Sequence, residues 1–120
     1  MTKIMVVDDE TDLREMINLM MKKEGYETEM AENGEDFLSK IDEFKPELVT
    51  LDVMMPGLTT KEILEQLKNK QSSPKIILLT VVRFSEEEKE KILELGNVVD
   101  YLTKPFDFEK LIGAVKKHLN

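Results

Sequence analysis

The chain has 120 residues, no cysteine, and 17 basic against 25 acidic residues, a net charge of −8. That length supports one core and one domain spanning 1–120, the acidity argues against a direct nucleic-acid contact that would depend on Lys and Arg neutralising phosphates, and the lack of thiols excludes a disulfide framework or thiolate metal site. No apolar run approaches the length of a membrane span and no signal-peptide pattern opens the chain, so a soluble, cytoplasmic domain with no membrane partner is expected.

Residues 3–8 are a short apolar run that ends in Asp8 and Asp9. From Leu13 the period changes: Leu13, Met16, Ile17 and Met20 fall at helical spacing on one face. Thr11 is the expected N-cap, and Gly25 ends the helix as a residue just past its last turn would. Tyr26 to Ala31 reads as a second strand, and Asn33 or Gly34 starts a helix with Phe37, Leu38 and Ile41 as its stripe. Lys45-Pro46 breaks that helix, because the residue before a proline is pushed out of helical geometry.

The run from Leu48 to Asp52 is the third strand, and its near-continuous branched residues suit a strand covered on both faces. It ends in a single carboxylate followed by Met54-Met55-Pro56-Gly57. A strand does not bury a lone charge at its end without a partner, so Asp52 is expected at a strand tip facing something that wants an anion. Thr59 and Glu62 have capping-box spacing, with Ile63, Leu64 and Leu67 on the helix that follows. Ser72-Ser73-Pro74 turns the chain into a fourth apolar run, Lys75 to Thr80. Ser85 and Glu88 make a second capping box, opening a helix to Leu95 that Gly96 ends; its Glu and Lys residues read as a solvated face. Val98 to Thr103 is the fifth strand, Lys104-Pro105 stops it, and Asp107 caps a last helix reaching His118.

Five strands alternating strictly with five helices argue an α/β, doubly wound, parallel sheet covered on both faces. In such a sheet all carboxyl ends share one edge, where ligands bind. Asp8-Asp9, Asp52, Thr80 and Lys104 all sit at strand ends and would converge there. Carboxylates crowded together push one another toward neutrality, and a hard divalent ion with oxygen ligands resolves that conflict. An ion, an ammonium and a hydroxyl gathered around one carboxylate suit phosphoryl transfer, with Asp52 as nucleophile forming an aspartyl phosphate.

The set Asp8-Asp9, Asp52-x-x-Met55-Pro56, Thr80 and Lys104-Pro105-Phe106, in order along the whole chain, resembles the receiver domain of two-component response regulators. The resemblance implies a flavodoxin-like sheet of order 2-1-3-4-5. It implies that Asp52 accepts a phosphoryl group from a phosphohistidine on a sensor histidine kinase or phosphotransfer protein. Asp9, Asp52 and the main-chain carbonyl of Met54 would ligate Mg2+, with Asp8 reaching it through water. Lys104 would pair with the phosphoryl oxygens, its bond to Pro105 would be cis, Thr80 would move toward the phosphoryl group, and Tyr101 would turn inward behind it. The readout face would be the fourth helix, fifth strand and fifth helix, about residues 85–119, in a monomer or a weak phosphorylation-dependent dimer. The chain would be a switch that catalyses only its own phosphotransfer and slow dephosphorylation.

Several positions depart from the family pattern. Val81 stands where Ala or Gly is common and is expected to narrow the approach to the phosphoryl site; Thr59-Thr60 stands where Asp-Gly is usual. Asn97-Val98-Val99-Asp100 is longer by one, which lengthens the interval from Thr80 to Lys104 and predicts a shifted or mobile fourth helix. Met54 and Val82, two residues after Asp52 and Thr80, cannot accept a hydrogen bond well enough to orient a hydrolytic water, so Met54, Val81 and Val82 are the candidate rate-tuning residues. Two other readings compete. A haloacid-dehalogenase-type phosphohydrolase wants a second Asp two residues after the nucleophile, where this chain has Met54, and a degenerate receiver would only bind partners.

Overall fold

The computed structural model describes residues 1–81, 83–94 and 96–119. Strands and helices alternate: β1 (Lys3–Val7), α1 (Thr11–Lys23), β2 (Glu27–Ala31), α2 (Gly34–Phe44), β3 (Leu48–Asp52), α3 (Thr60–Leu67), β4 (Lys75–Thr80), α4 (Glu86–Glu94), β5 (Val98–Thr103) and α5 (Phe108–Leu119). The strands pair in parallel in the order β2-β1-β3-β4-β5. Because side chains alternate along a strand, β1 sends Met5 and Val7 to one face and Ile4 and Val6 to the other. The first set packs with Phe37, Ile41, Ile63 and Leu67 from α2 and α3; the second packs with Ile17, Met21, Leu111 and Val115 from α1 and α5. Both faces of the sheet are therefore covered, which is why β3 is buried along its whole length.

Local chemistry sets most element ends. Asn33 caps α2 by accepting from the Asp36 amide at 2.8 Å. Both predicted capping boxes form: Thr59 and Glu62 exchange bonds of 3.0 and 3.1 Å, and Ser85 and Glu88 bonds of 3.1 and 3.2 Å. Asp107 Oδ1 accepts from the Glu109 amide at 2.9 Å to start α5, which runs one residue past His118. Gly25 has φ +93, the left-handed geometry expected beyond a helix end.

One expectation is corrected. Thr11 is the first helical residue of α1 rather than its N-cap; Glu10 holds the cap position without a side-chain cap bond. The Asp8 carboxylate accepts from the Glu10 amide at 2.9 Å and so holds the backbone at the cap position. The residue added near Val99 lies within β5. It is taken up as a β-bulge, with Ile76 opposite Val98 but Ile77 opposite Asp100. A one-residue shift exchanges the faces of every later side chain. Tyr101 thus packs with the α2-α3 face and Leu102 with the α1-α5 face, and by Thr103, opposite Thr80, the strand ends are aligned again. Leu95, the predicted end of the fourth helix, lies outside the described residues.

Candidate functional site

Strand order reverses between β1 and β3, since the chain moves from β1 to β2 on one side and returns to β3 on the other. That is where an open parallel sheet binds ligands. Asp8 follows β1, Asp52 closes β3, Thr80 closes β4 and Lys104 follows β5, so the sheet brings all four to one edge.

Asp8 is 1% exposed and Asp52 4%, whereas Asp9 faces solvent. Each of the three offers a carboxylate oxygen within 4.8 Å of the others. The Lys104 ammonium lies between the buried pair, 3.2 Å from Asp8 Oδ2 and 3.3 Å from Asp52 Oδ1. Its backbone is fixed as well: the Lys104 amide donates to the Thr80 carbonyl at 2.6 Å, and the Lys104–Pro105 peptide bond is cis. The Met54 amide donates to Asp52 Oδ1 at 3.3 Å and turns the loop back over the strand end. Thr80 is fully buried beside these groups.

Three carboxylates against one ammonium leave the site short of positive charge, and the effect shows on Asp52. Burial raises its pKa and the Asp8 carboxylate raises it further; Lys104 and the Met54 amide oppose them without cancelling the rise. Burial pulls Lys104 down, but Asp8 and Asp52 together overcome it and hold the ammonium above its ordinary value. An all-oxygen donor set with an uncompensated negative charge fits a hard divalent cation, which would relieve the burial of Asp52.

Arg14 escaped the sequence reading. Its guanidinium donates to the Asp8 carbonyl at 2.8 Å, tying the first turn of α1 to the end of β1. A basic residue one turn into a helix after a strand-end carboxylate was the only available signal. Tyr101 is half-buried, its ring edge-on to Phe84 at 6.3 Å between centroids, with Lys89 Nζ 5.1 Å from its centroid. Met54 and Val81 are each 59% exposed, and Val81 lines an apolar recess with Leu13, Pro105, Phe106 and Phe108. Val82 lies outside the described residues.

The sequence matches the response regulator receiver domain family over residues 4–116. The chain belongs to that family. Among solved structures it is similar to the response regulator TrrA of Thermotoga maritima, at 37% identity over 98% of both chains with a TM-score of 0.81. That protein was solved in complex with Mg2+ and BeF. The chemotaxis response regulator CheY4 of Vibrio cholerae matches at 28% identity over 98% of both chains, TM-score 0.87. A CheY-like receiver domain protein of Methanospirillum hungatei matches at 28% identity over 99% of this chain and 94% of its own, TM-score 0.88. The fold of this receiver is thus the flavodoxin-like, CheY-like one, and its place is in two-component signalling. No helix among the described residues is long and apolar enough to cross a membrane.

Proposed function

We propose that residues 1–120 act as one phosphoacceptor switch in which Asp52 takes a phosphoryl group from the phosphohistidine of a sensor histidine kinase or phosphotransfer protein. The observation that carries this reading is the position of Asp52: a carboxylate at a strand end, flanked by Asp8 and Asp9, with the Lys104 ammonium at 3.3 Å. An Asp52 oxygen attacks phosphorus, the phosphorus–nitrogen bond to the imidazole breaks, and its electron pair stays on the imidazole nitrogen, which takes a proton from solvent. Asp9, Asp52 and the Met54 main-chain carbonyl would hold Mg2+, with Asp8 reaching it through water. When bound, that ion neutralises phosphoryl oxygens that no side chain here matches alone. The solved Mg2+–BeF complex of TrrA supports the assignment.

Lys104 exchanges part of its pairing with Asp8 and Asp52 for the new phosphoryl oxygens, and the Thr80 hydroxyl donates to them. The group brings about −1.5 to −2 charge to a site built around one ammonium, a local electrostatic change able to bias a two-state element. The face formed by α4, β5 and α5 carries the readout, with Tyr101 turning inward. Neither Met54 nor Val82 can orient a hydrolytic water, so the phosphorylated state is long-lived and the chain works as a cytoplasmic switch rather than a turnover enzyme. Incubation with acetyl phosphate and Mg2+ tests the reading by intact-mass spectrometry. One added phosphoryl group is expected, lost in Asp52→Ala and in excess EDTA. A variant Asp52→Ala labelled as fully as the parent would refute it.

A further inference from the structure

The outer strands of the sheet are β2 and β5, and an outer strand turns the main-chain N–H and C=O of every second residue away from its neighbour. At β2 the Glu27 amide donates to the Thr2 carbonyl, and the Ala31 carbonyl accepts from the Asp8 amide at 3.2 Å. Those residues face β1, so the alternate ones, Thr28 and Met30, face out. At β5 the Lys104 amide donates to the Thr80 carbonyl, so beyond the bulge Tyr101 and Thr103 face out. Thr28 to Met30 and Val99 to Thr103 are half-buried, and solvent reaches both edges.

Outward groups at the middle of each edge are already taken. Glu29 Oε1 accepts from the Met30 amide at 2.9 Å, and Asp100 Oδ1 accepts from the Tyr101 amide at 2.9 Å. On both edges, then, the carboxylate of one residue closes the amide of the next. The Lys40 ammonium, 3.1 Å from Asp36 Oδ2, donates to the Met30 carbonyl at 2.8 Å. Asp36 Oδ2 also accepts from the Glu32 amide at 3.1 Å, just past the end of β2. Asp100 is held in turn by His118, whose Nε2 lies 3.0 Å from Oδ2. The bulge before Asp100 puts that carboxylate in place, and bulges themselves disrupt further pairing.

We propose that Glu29, Lys40 and Asp100 guard the two edges and keep the sheet from pairing with a second copy of this chain. The topology fixes what they exclude. The edges are two different strands running in the same direction, so β2 of one copy extends the sheet in parallel with β5 of the next, or pairs antiparallel with its own counterpart. The first contact is head-to-tail and leaves a free edge at each end, which grows an open chain; the second closes as a two-fold dimer. Each pairing also brings Glu29 and Asp100, or two copies of one of them, to the same seam, where like charges oppose association. Asp52 takes no part in these contacts, so the guards stand apart from the phosphoacceptor reading.

Sedimentation velocity of the full chain over a range of concentrations, in EDTA and without a phosphodonor, tests the guards. Opening the β2 edge with the Glu29→Ala, Lys40→Ala double variant is expected to tighten self-association about tenfold or more, since two main-chain groups per copy gain partners, and to stop at dimers. Opening both edges by adding Asp100→Ala is expected to give species larger than dimers. Glu29→Gln and Asp100→Asn keep an acceptor oxygen beside the amide and are expected to sediment as the parent does. A triple variant that sediments as the parent at every concentration overturns the proposal. So does association of the Gln and Asn variants equal to that of the Ala variants, which would leave charge repulsion alone as the guard. Amide hydrogen exchange followed by NMR gives a readout that needs no association. The Met30 amide is expected to exchange about tenfold faster in Glu29→Ala than in the parent, and the Tyr101 amide likewise in Asp100→Ala. Unchanged exchange at both amides overturns the proposal.

Discussion

Replacing Lys104 by Met removes the one cation that neutralises the buried carboxylates while keeping a long side chain in its place. The ammonium lies 3.2 Å from Asp8 Oδ2 and 3.3 Å from Asp52 Oδ1. At an effective dielectric of about 20, each contact is a gross attraction of about 5 kcal/mol. Most of it is offset by the cost of burying the ammonium and both carboxylates, and breaking a buried pair typically leaves a loss of about 3–5 kcal/mol. Urea denaturation of the Lys104→Met variant at neutral pH in EDTA is expected to show a loss in that range. Acidification should close the gap. Asp52 already titrates above its ordinary value through burial and Asp8, and loss of Lys104 raises it further. The ionised form therefore carries the penalty, which fades as falling pH protonates the carboxylate. Mg2+ at neutral pH should return part of the loss. A variant as stable as the parent at neutral pH in EDTA would refute this electrostatic account of the site.

The same linkage makes Asp52→Asn more resistant to urea than the parent at neutral pH in EDTA. A carboxylate whose folded pKa is raised loses stability as pH rises through its unfolded and folded values, so the two proteins should converge in acid. The Met54→Asn, Val82→Glu double variant should shorten the lifetime of the phosphorylated state, measured as phosphate release after removal of donor; an unchanged lifetime would sink the proposed role of these positions. Gly34→Ala tests the packing of α2 on α3. A Cβ there would lie 2.5 Å from Ile63 Cδ1 and 2.7 Å from Ile63 Cγ1, a crowding expected to cost about 1–3 kcal/mol in a urea titration.

How far the sequence could be read depended on whether the deciding interactions were local. Strand β3 was legible to the residue, because its burial on both faces wrote an apolar run and a proline-glycine loop ended it. Both capping boxes were legible because their partners lie three residues apart. Thr11 misled because the helix starts one residue earlier than its capping chemistry suggested, with Glu10 at the cap and its amide held by Asp8. The lengthening near Val99 was visible, but not that β5 takes it up as a bulge. The bulge keeps Thr80 opposite Thr103, aligning the strand ends that carry the site, and sets Asp100 within 3.0 Å of His118 on α5. The strand-end carboxylates, Thr80 and Lys104 were found by position alone, since a parallel sheet gathers its carboxyl ends. The 2.8 Å bond from Arg14 to the Asp8 carbonyl was not legible, because it depends on where the first turn of α1 lands.

The central claim, that Asp52 is the phosphoryl acceptor, is tested most directly by mapping the modified residue. Borohydride reduction of the phosphorylated chain converts an acyl phosphate to the corresponding alcohol, and peptide mass spectrometry then locates it. Conversion at Asp52 alone is expected, dependent on Mg2+ during phosphorylation. Conversion at Asp8 or Asp9, or a phosphorylated chain with none at Asp52, would contradict it.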